Sequence, residues 1–258
     1  MRLPKAVPAL TGALAFFALL EAATVLSPVN AAYIPDATTV LGRLLALLGD
    51  PAFLERIGKT LLTLLSGLAL ATAIAVPSGV VLGSSDLCYR LVRAPLELLR
   101  PIPAVALIPL FILMFGQTFQ ANMWMVVYAC IWPILLNTIY GVHDVTRGAR
   151  DTARAFGLGR IAVLVRVELP SALPLIVTGM RVAGAIALVV AVSAEMLVAS
   201  TGGLGSYIND SSQSGNGMTA TYAATAAAGL LGLLTNWALL RLGRRLCPWR
   251  ADGAQEGI

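Results

Sequence analysis

The chain alternates between long apolar runs and short polar joints, on a length scale set by a bilayer rather than by a globular core. A helix needs about 20 mostly apolar residues to cross the hydrocarbon layer. Six runs approach or meet that length: Ala9 to Pro28, Leu61 to Gly83, Pro101 to Gly116, Met123 to Gly141, Leu173 to Ala199 and Met218 to Leu240. The third is the shortest and is extended at its front by "LVRAPLELLR". Pro95, Pro101, Pro103 and Pro109 crowd it, so this span is expected to be kinked or to start irregularly. The first run is longer than a secretory h-region and no clean A-x-A site follows, so it reads as an anchor. Between the first two runs, "DATTVLGRLLALLGDPAFLERIGK" reads as a short amphipathic helix and a second one, broken at Asp50-Pro51. The pattern predicts an all-α integral membrane protein of six spans and one transmembrane domain over residues 1–258. Its first span and outer segment occupy 1–56, its core about 57–242, and its tail 243–258.

Composition supports this class. Hydrophobic residues make up 58% of the chain and charged residues 12%, about half the charged share of a soluble domain. The net charge of +5 would suit nucleic acid if it were clustered for that purpose, but its distribution follows the joints between spans. Fourteen of the basic residues fall in the N-terminus, the 84–100 and 142–172 joints and the tail. Only Arg43, Arg56 and Lys59 fall on the other side, and Arg181 lies inside the fifth span. Cytoplasmic loops carry the Lys and Arg excess, so both termini and the 142–172 joint are placed in the cytoplasm, with no nucleic-acid partner implied.

That joint carries "DTARAFGLGRIAVLVRVELP", Asp151 to Pro170. Good helix formers are interrupted by Gly157 and Gly159, then Ile161, Val165 and Leu169 recur every four residues, giving a second short helix with one greasy face that Leu169-Pro170 ends. Such an element is too short to fold alone and too apolar to stay in water, which makes it a docking surface.

Other chemistry is sparse. Cys88, Cys130 and Cys247 are odd in number and widely spaced, and His143 stands alone, so neither a disulfide framework nor a metal site is indicated, and no cofactor is expected. "IGKT" at 57–60 resembles the end of a phosphate loop, but the glycine that the loop requires at position 53 is Phe53. The chain therefore has to borrow a nucleotide-binding partner. The ionisable residues within the spans are Glu21, Arg181 and Glu195, too scattered for a catalytic set.

The 151–170 stretch resembles the cytoplasmic motif E-A-A-x3-G-x9-I-x-L-P of type I importer permeases of the ATP-binding-cassette class. Asp151-Thr152-Ala153, Gly157 and Val167-Glu168-Leu169-Pro170 keep every spacing, with Asp for Glu, Thr for the first Ala and Val for Ile. "LLRPIPAVALIPLFILMFG", "PILLNTIYGV", "LPSALPLIVTGMRVA" and "AEMLVASTGGLGSYI" are similar to the nitrate/sulfonate/taurine-type subfamily. The resemblance implies a coupling helix between spans four and five, built from Asp151, Thr152, Ala153, Arg154, Ala155, Phe156, Gly157 and Leu158. Leu169 and Pro170 close the motif. It implies two ATPase subunits, an extracytoplasmic solute-binding protein and a second permease subunit forming a homodimer, in a bacterial inner membrane. The implied cargo is a sulfonate, taurine or nitrate-type oxyanion; relatives of this type also carry bicarbonate, aromatic carboxylates or pyrimidine-type vitamin precursors. A stand-alone secondary transporter would show internal repeats, and none is evident.

Candidate pathway or gate residues are Glu195, Ser193, Arg181 and Asn137. Glu195 reads either as a gate facing the pathway or as a buried carboxylate satisfied by Ser193, Ser200 or the amides of the following Gly-rich turn. Arg181 either attracts an anion, or snorkels or pairs with the cytoplasmic loop. The 200–217 joint, polar and nearly uncharged, reads as a flexible outer loop that meets the binding protein or simply connects two spans.

Overall fold

The computed structural model describes residues 35–99, 101–145, 147–198, 202–214 and 217–248. The predicted first span, with Glu21, lies outside the described residues, as does Ser200. Helix α1 (Ala37–Leu48) stops at Gly49, and α2 (Pro51–Gly83) starts at once. Asp50 caps α2 by accepting a 3.0 Å hydrogen bond from the Ala52 amide, and Pro51 sits in the first turn, where a missing N–H breaks no helical bond. The break at Asp50-Pro51 falls where the pattern puts it. The second amphipathic helix expected there is not separate, however: residues 51–59 are the opening turns of a 33-residue span.

Helix α3 (Asp86–Leu99), a 3-10 turn (Ala104–Leu107) and α4 (Ile108–Phe115) follow. The segments Tyr89–Leu99 and Ala104–Phe115 meet at 77°, with Pro101 and Pro103 in the break between them. The proline-rich span is thus a bent pair rather than one rod. Then come α5 (Phe119–His143), α6 (Arg147–Ala155), α7 (Arg160–Leu197), α8 (Leu204–Gln213) and α9 (Met218–Leu246). Among the described residues, four helices (α2, α5, α7 and α9) are long and apolar enough to cross a membrane, or five when the bent pair counts as one span.

Two expectations need correcting. Leu169-Pro170 does not end a helix. A π turn (Leu164–Glu168) precedes it, and the Leu169 amide reaches back to the Leu164 carbonyl. The extra residue in that turn loosens the backbone where the Pro170 ring, which has no N–H, would otherwise collide with an α-helical carbonyl, so the chain runs on into span five. The 200–217 joint is not a plain loop either, since α8 occupies most of it and buries Leu204 and Ile208.

Helix α5 is the centre of the bundle, packed between α2 and α7. Small residues permit this. On α2, Gly67, Ala71, Ala75, Gly79 and Gly83 recur every four residues and are buried. Gly67 meets Val126, Gly79 meets Thr138 and Gly83 meets Ile139, so α2 and α5 run in the same direction. Helix α7 runs the opposite way to α5, with Ala172 against Gly141 and Gly179 against Pro133 and Asn137. In lipid, where apolar side chains gain little by leaving the solvent, such close backbone approach is a main source of helix association. Large apolar residues such as Leu62, Val189, Leu233 and Leu234 are left on the outside, where hydrocarbon is their solvent.

A Cβ on Gly179 would lie 2.8 Å from the Pro133 carbonyl oxygen and 2.9 Å from Asn137 Cβ. Gly179→Leu is expected to destabilise the solubilised protein by about 3 kcal/mol or more, because backbone must move. Gly229→Leu, with no atom within 4 Å of a new Cβ, is expected to be near neutral. Thermal unfolding midpoints in detergent measure both.

Candidate functional site

Helix α6 and the turn after it occupy one end of the bundle. Gly157 is left-handed, at φ +81°. The Gly157 amide donates to the Arg154 carbonyl (2.9 Å) and the Leu158 amide to the Ala153 carbonyl (3.2 Å). This pair of bonds is a Schellman closure, which satisfies two end carbonyls and requires a residue that tolerates positive φ. The fixed interval from Asp151-Thr152-Ala153 to Gly157 therefore has a local cause. Ala153 is buried, whereas Asp151, Thr152, Arg154 and Ala155 are exposed and Leu158 is half-buried. Phe156, 83% exposed, projects from the end of α6. An aromatic ring so placed is a ready contact for another surface.

The two halves of the motif meet through charge. Arg150 Nε lies 2.9 Å from Glu168 Oε1, an ion pair whose N–H is not aligned for a hydrogen bond. Arg150 Nη2 donates to the Val142 carbonyl at 2.7 Å. Neither residue stood out in the sequence, because nothing in the motif marks a partner 18 positions away. The greasy face expected at Ile161, Val165 and Leu169 exists, but Ile161 and Val165 are exposed, and the inward positions are Val163 and Glu168. Pro170 is exposed and Leu169 half-buried.

Glu195 lies about 40 Å along α7 from Glu168, in the outer turns of the bundle's other end. It is 1% exposed. Thr60 Oγ1 donates to Glu195 Oε2 at 2.7 Å, and the Gly205 amide donates to the same oxygen at 3.0 Å. The Leu204 amide donates to Thr60 Oγ1 at 2.9 Å, and Ser206 Oγ to the Glu195 carbonyl at 3.0 Å. Gly203, the residue before α8, offers no side-chain cap. The first amides of α8, which a helix cannot satisfy internally, are instead capped by side chains from α2 and α7. A Cβ on Gly203 would overlap the Glu195 carboxylate, and one on Gly205 the Val192 carbonyl, so only glycine lets α8 sit this close. Of the partners expected for Glu195, the Gly-rich turn supplies an amide, but the hydroxyl is Thr60's rather than Ser193's. Thr60 is the last residue of the "IGKT" that fails as a phosphate loop.

Arg181 and Asn137 belong to neither end. Arg181 Nε is buried without a hydrogen-bond partner, and about 21 Å of helix separates it from Glu195. Asn137 lines a cavity of about 400 Å³ between α5 and α7, with Tyr128, Trp132, Tyr140, Val182 and Ile186. Its Nδ2 donates to the Pro133 carbonyl at 2.7 Å. The four candidate pathway residues do not form one site, and only Asn137 opens onto this cavity.

Residues 71–247 match the family model described as binding-protein-dependent transport system inner membrane component. The chain belongs to that family. It is a multi-pass ABC importer permease of the inner membrane, a transport subunit without an ATPase site of its own. The permease is 29% identical over 228 residues to the taurine transport system permease TauC of Escherichia coli K12, covering 85% of this chain and 81% of that one. It is 29% identical over 199 residues to the nitrate import permease NrtB of Leptolyngbya laminosa, covering 77% and 71%. Its fold is that of the inward-facing MetNI methionine ABC transporter in the CY5 native crystal form, with a TM-score of 0.66 at 21% identity over 75% of this permease and 95% of that chain.

Proposed function

We propose that this permease pairs with a second copy of itself, takes α6 and Phe156 into a groove on each of two ATPase subunits, and imports a small oxyanion or sulfonate. The observation that carries the reading is α6 itself: a short polar helix, closed at Gly157 and displaying a nearly bare phenylalanine beside the span ends. The excess of basic residues in the joints supports a cytoplasmic side for this end and an outer side for the Glu195 end. There α8 would meet a loaded binding protein. One bundle supplies one docking helix and one wall of a pathway, which is why a symmetric pair is required. The cavity beside Asn137 offers few polar groups, so solute selection rests mainly with the binding protein. Taurine and nitrate, named for the two relatives, share the anionic oxygens assigned to the cargo.

Purified alone, the chain is expected to hydrolyse no ATP. With its ATPase subunits in proteoliposomes it is expected to show turnover that rises when loaded binding protein is added, with uptake of labelled taurine or nitrate. Turnover by the isolated chain, or uptake restricted to solutes that carry no oxyanion or sulfonate group, refutes the reading.

A further inference from the structure

We infer that Arg150 and Glu168 form the mechanical link that converts movement of α6 into movement of spans four and five. The inference rests on the docking reading above. Arg150 of α6 reaches both neighbours. One arm contacts Glu168 on the π turn of α7 at 2.9 Å, and the other donates to the Val142 carbonyl near the end of α5 at 2.7 Å. Both side chains are largely withdrawn from solvent, at 21% and 9% exposure. Charges so placed attract more strongly than surface pairs, and removing one partner leaves the other buried and unpaired. A tie of this kind resists being pulled apart, whereas the exposed Arg154–Asp151 contact at 3.9 Å adds little.

The surroundings fit a hinge that moves as a unit. A cavity of about 420 Å³ separates the α6 turn from Ser84 and Ser85, with Arg154, Arg160, Ile161 and Glu168 on its walls. The docking helix therefore has room to swing on that side while Arg150 holds its other edge to α5 and α7. Glu168 points to Arg150 because it sits in the π turn, one residue before Leu169-Pro170. The second half of the motif thus sets the position of the carboxylate that the first half is tied to. Arg150 and Glu168 are positioning residues, and neither need touch the solute or the ATPase.

The test uses the assembled transporter in proteoliposomes, with three readouts: ATPase subunit retained by the permease, ATP hydrolysed, and taurine or nitrate accumulated per ATP. Glu168→Gln is expected to retain the ATPase subunit and its hydrolysis but to lower solute per ATP at least tenfold. Arg150→Lys keeps the charge but loses the forked reach, and is expected to lower the ratio two- to fivefold. If Glu168→Gln does not insert, the Arg150→Lys ratio decides. A wild-type ratio in the inserted variants overturns the inference, and so does loss of the ATPase subunit, which would make the pair a support for docking instead. Failure of the wild-type permease to retain any ATPase subunit refutes the docking reading itself and is distinguishable from both.

Discussion

Glu195→Leu is expected to reduce uptake by the reconstituted transporter at least tenfold while leaving the spans inserted. Leucine fills most of the volume but accepts no hydrogen bond. The Gly205 amide and the Thr60 hydroxyl, both buried, then lose their shared acceptor. The Thr60 hydroxyl can still turn to the Arg56 carbonyl at 3.3 Å, but the stranded Gly205 amide costs about 1–3 kcal/mol, and that loss falls on the first turn of α8, which has no cap of its own. Helix α8 should fray or lift from α7, changing the surface offered to the binding protein. Glu195→Gln keeps an oxygen at the same reach and is expected to stay within about threefold of wild type, since both donors can still be satisfied. Thr60→Val removes the hydroxyl with little change of shape and should resemble Glu195→Leu, because it strands the Leu204 amide and deprives Glu195 of a donor. A gate that depends on charge predicts the reverse: Gln as harmful as Leu, and Thr60→Val harmless. Hydrogen exchange at the α8 amides, read with uptake in the three variants, separates the two readings.

The spans that fall within the described residues were legible in the sequence because a bilayer imposes a length and a polarity that a single chain must display. The break at Asp50-Pro51 and the kink at Pro101 and Pro103 were legible for a local reason: proline removes a donor and fixes φ. What the sequence concealed depends on partners far apart in the chain. Thr60 lies 135 residues from Glu195, and a threonine on an apolar helix is locally indistinguishable from one bonded to its own backbone, as Thr72 is. Arg150 and Glu168 looked like ordinary joint charges. Leu169-Pro170 misled because a proline after a helical run usually marks a stop, and only the π turn lets this helix continue. The 200–217 joint misled because its polar residues suggest a loop, while the caps that make α8 a helix come from α2 and α7.

Gly157→Val is expected to abolish uptake and to weaken retention of the ATPase subunit at least tenfold, with the spans still inserted. No atom lies within 4 Å of a Cβ built on Gly157, so the substitution meets no steric wall from its neighbours. The penalty comes from the backbone: φ is +81°, where a β-branched residue is strained by about 1–3 kcal/mol. Relief requires φ to become negative, which breaks the bonds from the Gly157 and Leu158 amides to Arg154 and Ala153. Without that closure α6 has no defined end, and Phe156, its exposed tip, turns away from the position in which it would dock. Gly157→Asn, which tolerates the left-handed region better than other side chains, should retain most docking. Asp151→Ala should have a milder effect in the same direction. Asp151 is exposed and its contact with Arg154 is long, at 3.9 Å, so little of the helix's stability depends on it. Co-purification of the ATPase subunit with each membrane-inserted variant, beside an uptake assay, provides the ranking. Wild-type docking and uptake by Gly157→Val would show that the turn has no part in coupling, since its strain is local and nothing else in the bundle is disturbed.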